Sequence, residues 1–295
     1  MLSLKRGDPI ALATKGKSAL TVHIHGKDSF IKSKPDLSVP DAERVDLVPK
    51  AFLKEHKLTK AQLHDEMEAG TEVGEEGQEL VDESLRSRIS LPDRDVFPIP
   101  QKFSERLYVS GPSGAGKSTF IAEYVKRLQE KNKKRKVYIF SRVPEDPPLD
   151  QLKHVTRVPL EMGFWSWVTL RPEDFAKCIL VFDDIDTLLD KTLLKKVRGF
   201  RDDCLEVGRH MEITCICATH LITNYNSTRT VVNESQGVCL FPRGSSMAAV
   251  AKFLESYIGM SREKIREIGE LPTRWVFIWK EYPRYLIHQH GVMLL

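Results

Sequence analysis

The chain has 295 residues, 41% of them hydrophobic and 29% charged, with a formal net charge of +4. This is the balance of a soluble globular protein with room for one ordinary α/β domain and an appendage. The longest apolar runs, such as Cys178-Ile-Leu-Val-Phe182, are strand-sized, which excludes a membrane-spanning helix.

The first residues lack the apolar core and small-residue cleavage site of a secretory signal, so an intracellular location is expected. Cysteines 178, 204, 215, 217 and 239 fall mostly inside expected strands, as reduced core thiols would. Cys215 and Cys217 share one strand face, but with no second cysteine pair nearby core packing is expected rather than zinc. His23/His25 and His288/His290 alternate in the same way, and a solvated strand face is expected for both pairs.

In chain order, residues 1–35 carry short alternating runs (Ile10-Ala-Leu, Thr21-Val-His-Ile-His, Ser29-Phe-Ile) separated by glycines, the pattern of a small β element. Residues 50–68 read as a short helix. Residues 65–83 then hold nine acidic side chains and no Lys or Arg, a block poorly able to bury apolar surface. The expected division is therefore an N-terminal region over 1–68, an acidic, Pro-containing linker over 69–100, and a main domain over 101–295.

That domain opens with an apolar strand, Arg106-Leu-Tyr-Val-Ser110, followed by Gly111-Pro112-Ser113-Gly114-Ala115-Gly116-Lys117-Ser118. The latter fits the phosphate-binding pattern G-x-x-x-x-G-K-[ST], or Walker A. Glycines there let backbone N–H groups close around a polyphosphate at the positive end of the helix that follows, from Thr119. Lys117 is expected to reach the β- and γ-phosphates, and the Ser118 hydroxyl to ligate Mg²⁺. Gly16-Lys17-Ser18 repeats the tripeptide, but Ala11 stands where the first glycine should be. Nucleotide contacts are expected over Gly111–Thr119, with ATP and Mg²⁺ as ligands.

Lys131-Asn-Lys-Lys-Arg-Lys136 places five cations in six positions. Two readings stay open: a solvated helix end, where cations complement the dipole, and a contact to nucleic-acid phosphates through Lys133, Lys134, Arg135 and Lys136. Lys136-Val-Tyr-Ile-Phe-Ser141 reads as a buried strand, and a shorter one covers Val155 to Leu160. Lys177-Cys-Ile-Leu-Val-Phe-Asp-Asp184 delivers two acids where an apolar strand emerges, the Walker B arrangement. A parallel strand buried on both faces has its acids only at its end, the edge where ligands bind in open α/β sheets. Asp183 is assigned to the Mg²⁺ shell and Asp184 to the carboxylate that polarises the attacking water. The other reading makes Asp184 or Asp186 the N-cap of the following helix, a role that Asp186 fits well and Asp184 less well.

Glu212-Ile-Thr-Cys-Ile-Cys-Ala218 ends in Thr219 and His220. A polar group at that edge can sense the γ-phosphate; His220 is the candidate and Thr219 the runner-up. Arg198, Arg201 and Arg209 precede this strand, and any of them can supply a catalytic cation to a neighbouring subunit. A strand at 237–241, helices near 246–258 and 261–269, and a hairpin from Trp275-Val-Phe-Ile-Trp279 and Tyr285-Leu-Ile-His288 complete the reading. The fold class is α/β, a P-loop NTPase with a mainly parallel sheet flanked by helices, a small N-terminal β region and a C-terminal β-hairpin.

Walker A, the Val-Phe-Asp-Asp strand, and Gly208-Arg209-His210-x-x-Ile213 leading to Thr219-His220 together resemble the DNA-packaging ATPases of large nucleocytoplasmic DNA viruses, in the FtsK/HerA superfamily. The resemblance covers roughly residues 103–245. It implies nucleotide contacts at Gly111–Thr119, acidic catalysis at Asp183 and Asp184, a sensor at His220, double-stranded DNA as partner and a homo-oligomer. It also implies a place in the host cytoplasm (virus factory) or the virion. The family commonly has Gln where this chain has His220. Two alternatives stand beside it: a nucleotide kinase, since 111–119 looks like a guanylate-kinase loop, and an assembly protein that binds nucleotide without turning it over. The segment ahead of Walker B has no LSGGQ-like run, which excludes an ABC transporter.

Overall fold

A computed structural model describes residues 1–4, 7–24, 48, 53, 57, 59–62, 65, 87–222 and 225–295, with backbone only at 225–227. The chain divides into two compact units, Met1–Ile99 with Leu271–Leu295, and Pro100–Glu270. Among the described residues no helix is long and apolar enough to cross a membrane.

The first unit begins with β1 (Leu2–Ser3), β2 (Asp8–Lys15) and β3 (Ser18–Ile24), then β4 (Arg88–Ser90) and β5 (Asp95–Pro98). Strands β1, β3, β2 and β5 pair antiparallel in that order. Alternation in β2 sends Ala11 and Ala13 inward while Leu12 and Thr14 stay partly exposed, the two-sided pattern of an antiparallel sheet. One expected feature changes. Within the stretch expected as linker, β4 and β5 bury Ile89, Val96 and Pro98. Both strands are too short to show a clear period, and flanking prolines disguise them; Pro98 sits at a strand end, where its missing N–H costs least. Residues 69–86 lie outside the described residues, as do Ser29-Phe-Ile and most of the expected helix over 50–68.

The second unit runs β6 (Arg106–Ser110), α1 (Lys117–Lys131), β7 (Val137–Ser141), α2 (Pro147–Asp150), β8 (Val155–Arg157), α3 (Met162–Trp167), β9 (Ile179–Asp183) and α4 (Lys191–Val207). It continues with β10 (Thr214–Thr219), α5 (Tyr225–Glu234), β11 (Gly237–Leu240), α6 (Met247–Phe253) and α7 (Arg262–Glu270). Its six strands are parallel, in the order β11-β6-β10-β9-β7-β8. The register aligns their carboxyl ends: Leu240 with Ser110, Ser110 with Thr219, Ala218 with Asp183, and Asp183 with Ser141. β9 and β10 are buried throughout, as helix-flanked parallel strands must be.

One sheet face is held by rings. Phe140 stacks on its register partner Phe182 at 4.7 Å, and Phe200 of α4 closes over Phe140 at 5.5 Å. Such pairs contribute about 0.5–1.5 kcal/mol each beyond their burial. Helix α1 turns Phe120, Ile121, Tyr124, Val125 and Leu128 to the core, an i, i+1, i+4, i+5, i+8 stripe. Asp190, not Asp186, caps α4, its carboxylate accepting from the N–H groups of Thr192 and Leu193.

The last strands, β12 (Val276–Trp279), β13 (Tyr285–His288) and β14 (Gly291–Leu294), form an antiparallel meander, and β14 pairs β4. The expected hairpin is present with a third strand added. Compared with the expected domain over 101–295, the compact unit ends at Glu270 and the meander groups with the N-terminal residues. The reason is non-local pairing: a Cβ at Gly291 would lie 2.5 Å from the Ile89 carbonyl oxygen, so only glycine lets β4 come this close.

Candidate nucleotide site

The polar residues of the second unit gather where its parallel strands end. After β6 the loop turns through left-handed glycines, Gly114 (φ 75) and Gly116 (φ 107), conformations that cost a side-chain-bearing residue. Gly111 is required for a different reason: a Cβ there would meet the Phe241 ring at 2.8 Å. Helix α1 starts from Gly116 with no side-chain cap and no acid in its first turn. Its first N–H groups and dipole are thereby left for an anion.

Lys117 is buried, and its ammonium reaches the Gly111 carbonyl at 2.9 Å, His220 Nδ1 at 3.0 Å and Asp184 Oδ2 at 3.9 Å. Burial pulls its pKa down, opposed by Asp184 and then Asp183. His220 Nε2 lies 2.7 Å from Asp184 Oδ2. An ammonium has only protons to offer, so Nδ1 is the acceptor and Nε2 carries the hydrogen toward Asp184. Asp184 holds this place in a left-handed backbone conformation (φ 48, ψ 32), strain that a non-glycine residue stores only where its surroundings impose it. Thr187 secures the turn, the Asp184 carbonyl accepting from both its N–H and its hydroxyl. Burial pushes the carboxyl pKa up at both Asp183 and Asp184, with Lys117 opposing at both.

The remaining oxygen of Asp184, Oδ1, is buried without a hydrogen-bond partner. Asp183 Oδ2 accepts from Ser141 Oγ at 2.9 Å, and Ser118 Oγ donates to Asp146 Oδ2 at 2.6 Å. Among the described residues no three His, Cys, Asp or Glu side chains are gathered to enclose a metal ion, but the Ser118 hydroxyl and the Asp183 carboxylate are hard oxygen donors of the kind that hold Mg²⁺ together with substrate phosphates and water. The residues present therefore fit the cation that Walker A and B imply.

The structure thus brings Lys117, Asp184 and His220 together. Thr219 points elsewhere: its hydroxyl meets Tyr108 Oη at 3.1 Å and donates to the Leu221 carbonyl at 2.9 Å. Of the three arginines, Arg198 pairs with Asp186 at 2.7 Å, and buried Arg201 with Asp202 at 2.8 Å and Asp186 at 3.9 Å. Arg209 is exposed. The basic run is not one solvated stripe. Arg135 is buried, donates to the carbonyls of Lys177, Cys178 and Glu212, and lies 5.4 Å from the Phe103 ring centroid. Lys133, Lys134 and Lys136 are exposed. Sequence reasoning missed Asp146 and Ser141. The only signal for Asp146 was local, an Asp directly before Pro147-Pro148, which marks a helix start.

No protein-family model matches the chain. The uncharacterized protein V3 of Sputnik virophage is 32% identical over 213 residues, spanning 71% of this chain and 85% of V3. Among solved structures, the genome packaging NTPase B204 of Sulfolobus turreted icosahedral virus 2 is similar with a TM-score of 0.44 at 13% identity, over 66% of this chain and 96% of B204. The pCW3 conjugation coupling protein TcpA, solved with ATPγS, is similar with a TM-score of 0.46 at 11% identity, over 95% and 76% of the two chains.

Proposed function

For this chain, which belongs to the family of the Sputnik virophage protein V3, we propose the function of an Mg²⁺-dependent ATPase that drives DNA into a viral particle as one subunit of a homo-oligomeric motor. The observation that carries this reading is the meeting of Lys117, His220 and Asp184 at the carboxyl edge of the parallel sheet. Three charged or titratable groups converge there, beside an uncapped helix N-terminus.

In this reading the loop over Gly111–Thr119 binds the triphosphate through its N–H groups, and Lys117 exchanges the Gly111 carbonyl and His220 for phosphate oxygens. Ser118 and Asp183 would hold Mg²⁺, which offsets phosphate charge when bound. Asp184 orients a water and takes its proton. His220, once Lys117 has left Nδ1, still directs Nε2–H at Asp184, so nucleotide engagement reaches the base through one imidazole. This is how His220 can serve where the resembling family commonly has Gln. Arg209 is the remaining arginine for a neighbour's γ-phosphate, because Arg198 and Arg201 are tied to Asp186 and Asp202. Lys133, Lys134 and Lys136 are exposed cations that can meet a DNA backbone. The proposed setting is the virus factory or the virion.

The test is ATP turnover by the purified full chain with and without duplex DNA. Turnover stimulated by DNA is expected. Turnover indifferent to DNA would remove the motor, and binding without turnover would leave a nucleotide-binding assembly protein.

A further inference from the structure

A serine hydroxyl has one proton and two lone pairs, and ligating a cation uses a lone pair. Where the proton goes therefore decides whether Ser118 can serve a metal. It goes to Asp146 Oδ2 at 2.6 Å, whereas the Walker B residue Asp183 takes its hydrogen bond from Ser141 on the neighbouring strand. The two acceptors are thus divided between two donors.

Asp146 is itself held on several sides. Its Oδ1 accepts from the Leu149 N–H at 3.3 Å, capping α2, and its own N–H donates to Asp150 Oδ2 at 2.7 Å. Asp150 in turn is gripped by Arg157, through Nε at 2.9 Å and Nη2 at 2.7 Å, and Arg157 Nη1 donates to the Val143 carbonyl at 2.8 Å. Pro147 and Pro148 follow directly and restrict the backbone. The Oδ2 atom facing Ser118 is aimed by this network.

We infer that Asp146 is a positioning residue of the cation site: it takes the Ser118 proton and turns the hydroxyl lone pairs toward Mg²⁺. This rests on the nucleotide-site reading above. It assigns a role to a residue outside both phosphate-binding motifs, placed by the β7–α2 loop. Removing an acceptor that orients a ligand typically weakens metal affinity about 10–100-fold.

A mere helix cap would behave differently, and two variants separate the roles. Asn and Ser both cap helices as well as Asp does, so Asp146→Asn and Asp146→Ser keep α2. Neither supplies a carboxylate to Ser118. The measurement is Mn²⁺ binding by electron paramagnetic resonance in the presence of a saturating non-hydrolysable ATP analogue, beside nucleotide affinity in EDTA and thermal unfolding. The expected result is at least about tenfold weaker Mn²⁺ binding in both variants, with EDTA affinity and melting unchanged. In turnover, the Mg²⁺ concentration for half-maximal rate should rise while the rate at saturating Mg²⁺ recovers. Mn²⁺ affinity unchanged in folded variants would overturn the role of Asp146 alone. A wild-type chain that binds no nucleotide would overturn the site reading, and this role with it.

Discussion

The two units use strands in opposite ways, and only one of them concentrates chemistry. In Pro100–Glu270 all strands run parallel, so Ser110, Thr219, Asp183 and Ser141 end in register on one edge. In the other unit the strands are antiparallel, and neighbouring strand ends face opposite ways. Polar residues there satisfy backbone instead: His23 Nδ1 meets the Gly7 carbonyl at 2.9 Å, and His290 Nδ1 the Arg94 carbonyl at 3.2 Å. A parallel sheet, buried on both faces, has nowhere but its ends for polar groups. That constraint gathers the residues of a site from segments far apart in the chain.

The sharpest way to break this contrast is to separate binding from chemistry at the edge. We predict that Asp184→Asn keeps ATP bound but slows hydrolysis by about 10²–10⁴-fold, the usual loss for a general base. Lys117→Ala should lower ATP affinity at least about tenfold, since a charge-assisted hydrogen bond contributes roughly 1.5–3 kcal/mol. Calorimetry and turnover on both variants check the pair; normal turnover by the Asp184 variant would place the base elsewhere.

Arg135 tests the opposite end of the same unit. Its replacement by Met should destabilise Pro100–Glu270 by roughly 3 kcal/mol, because three carbonyl oxygens lose a charged donor in a buried place. Urea unfolding measures this, and a loss under about 0.5 kcal/mol would mean the carbonyls find water.

The units should also answer pH in opposite directions. His288 in the first unit, expected on a solvated strand face, is buried, and burial, with a smaller contribution from His290, pulls its pKa down to about 4 from 6.5. Its unfolded form binds the extra proton between those values, so stability is fully present above 6.5 and is lost as pH falls. Glu105 in the second unit is pushed up to about 7 from 4.5, chiefly by burial. Hydrogen bonds from Tyr124 and from the Lys102 N–H (2.7 Å) oppose the shift. Its folded form holds the proton, so stability falls as pH rises from 4.5 to 7. Each effect is about 3 kcal/mol in size. Trp275 and Trp279 report one unit, Trp165 and Trp167 the other. Denaturation from pH 4.5 to 7.5 should give slopes of opposite sign, flattened separately by His288→Gln and Glu105→Gln. Slopes of the same sign would refute the contrast.

The smallest effect concerns DNA. Neutralising Lys133, Lys134 and Lys136, with Arg135 left in place, should lower the log–log salt slope of duplex binding by about 0.9 for each DNA phosphate that these lysines neutralise. An unchanged slope reduces them to a solvated helix end.

Much of this was legible from residue order alone, because it depends on neighbours in the chain. Gly111 to Ser118 carries its loop conformation in its own glycines, and α1 its burial stripe in its own spacing. The apolar run ending in Asp183 and Asp184 announces a parallel strand and the edge where it emerges. What the tertiary structure decided is every matter of pairing between distant segments. Arg135 looks like one more surface cation until the carbonyls of Lys177, Cys178 and Glu212 surround it. Asp146 looks like a cap until Ser118 donates to it from 28 positions away. Ile89 and Gly291 make a short stretch a strand only by meeting. Periodicity and conformational preference are local and leave a mark within a few residues; register and charge pairing depend on which segments fold side by side, and no short window of sequence contains them.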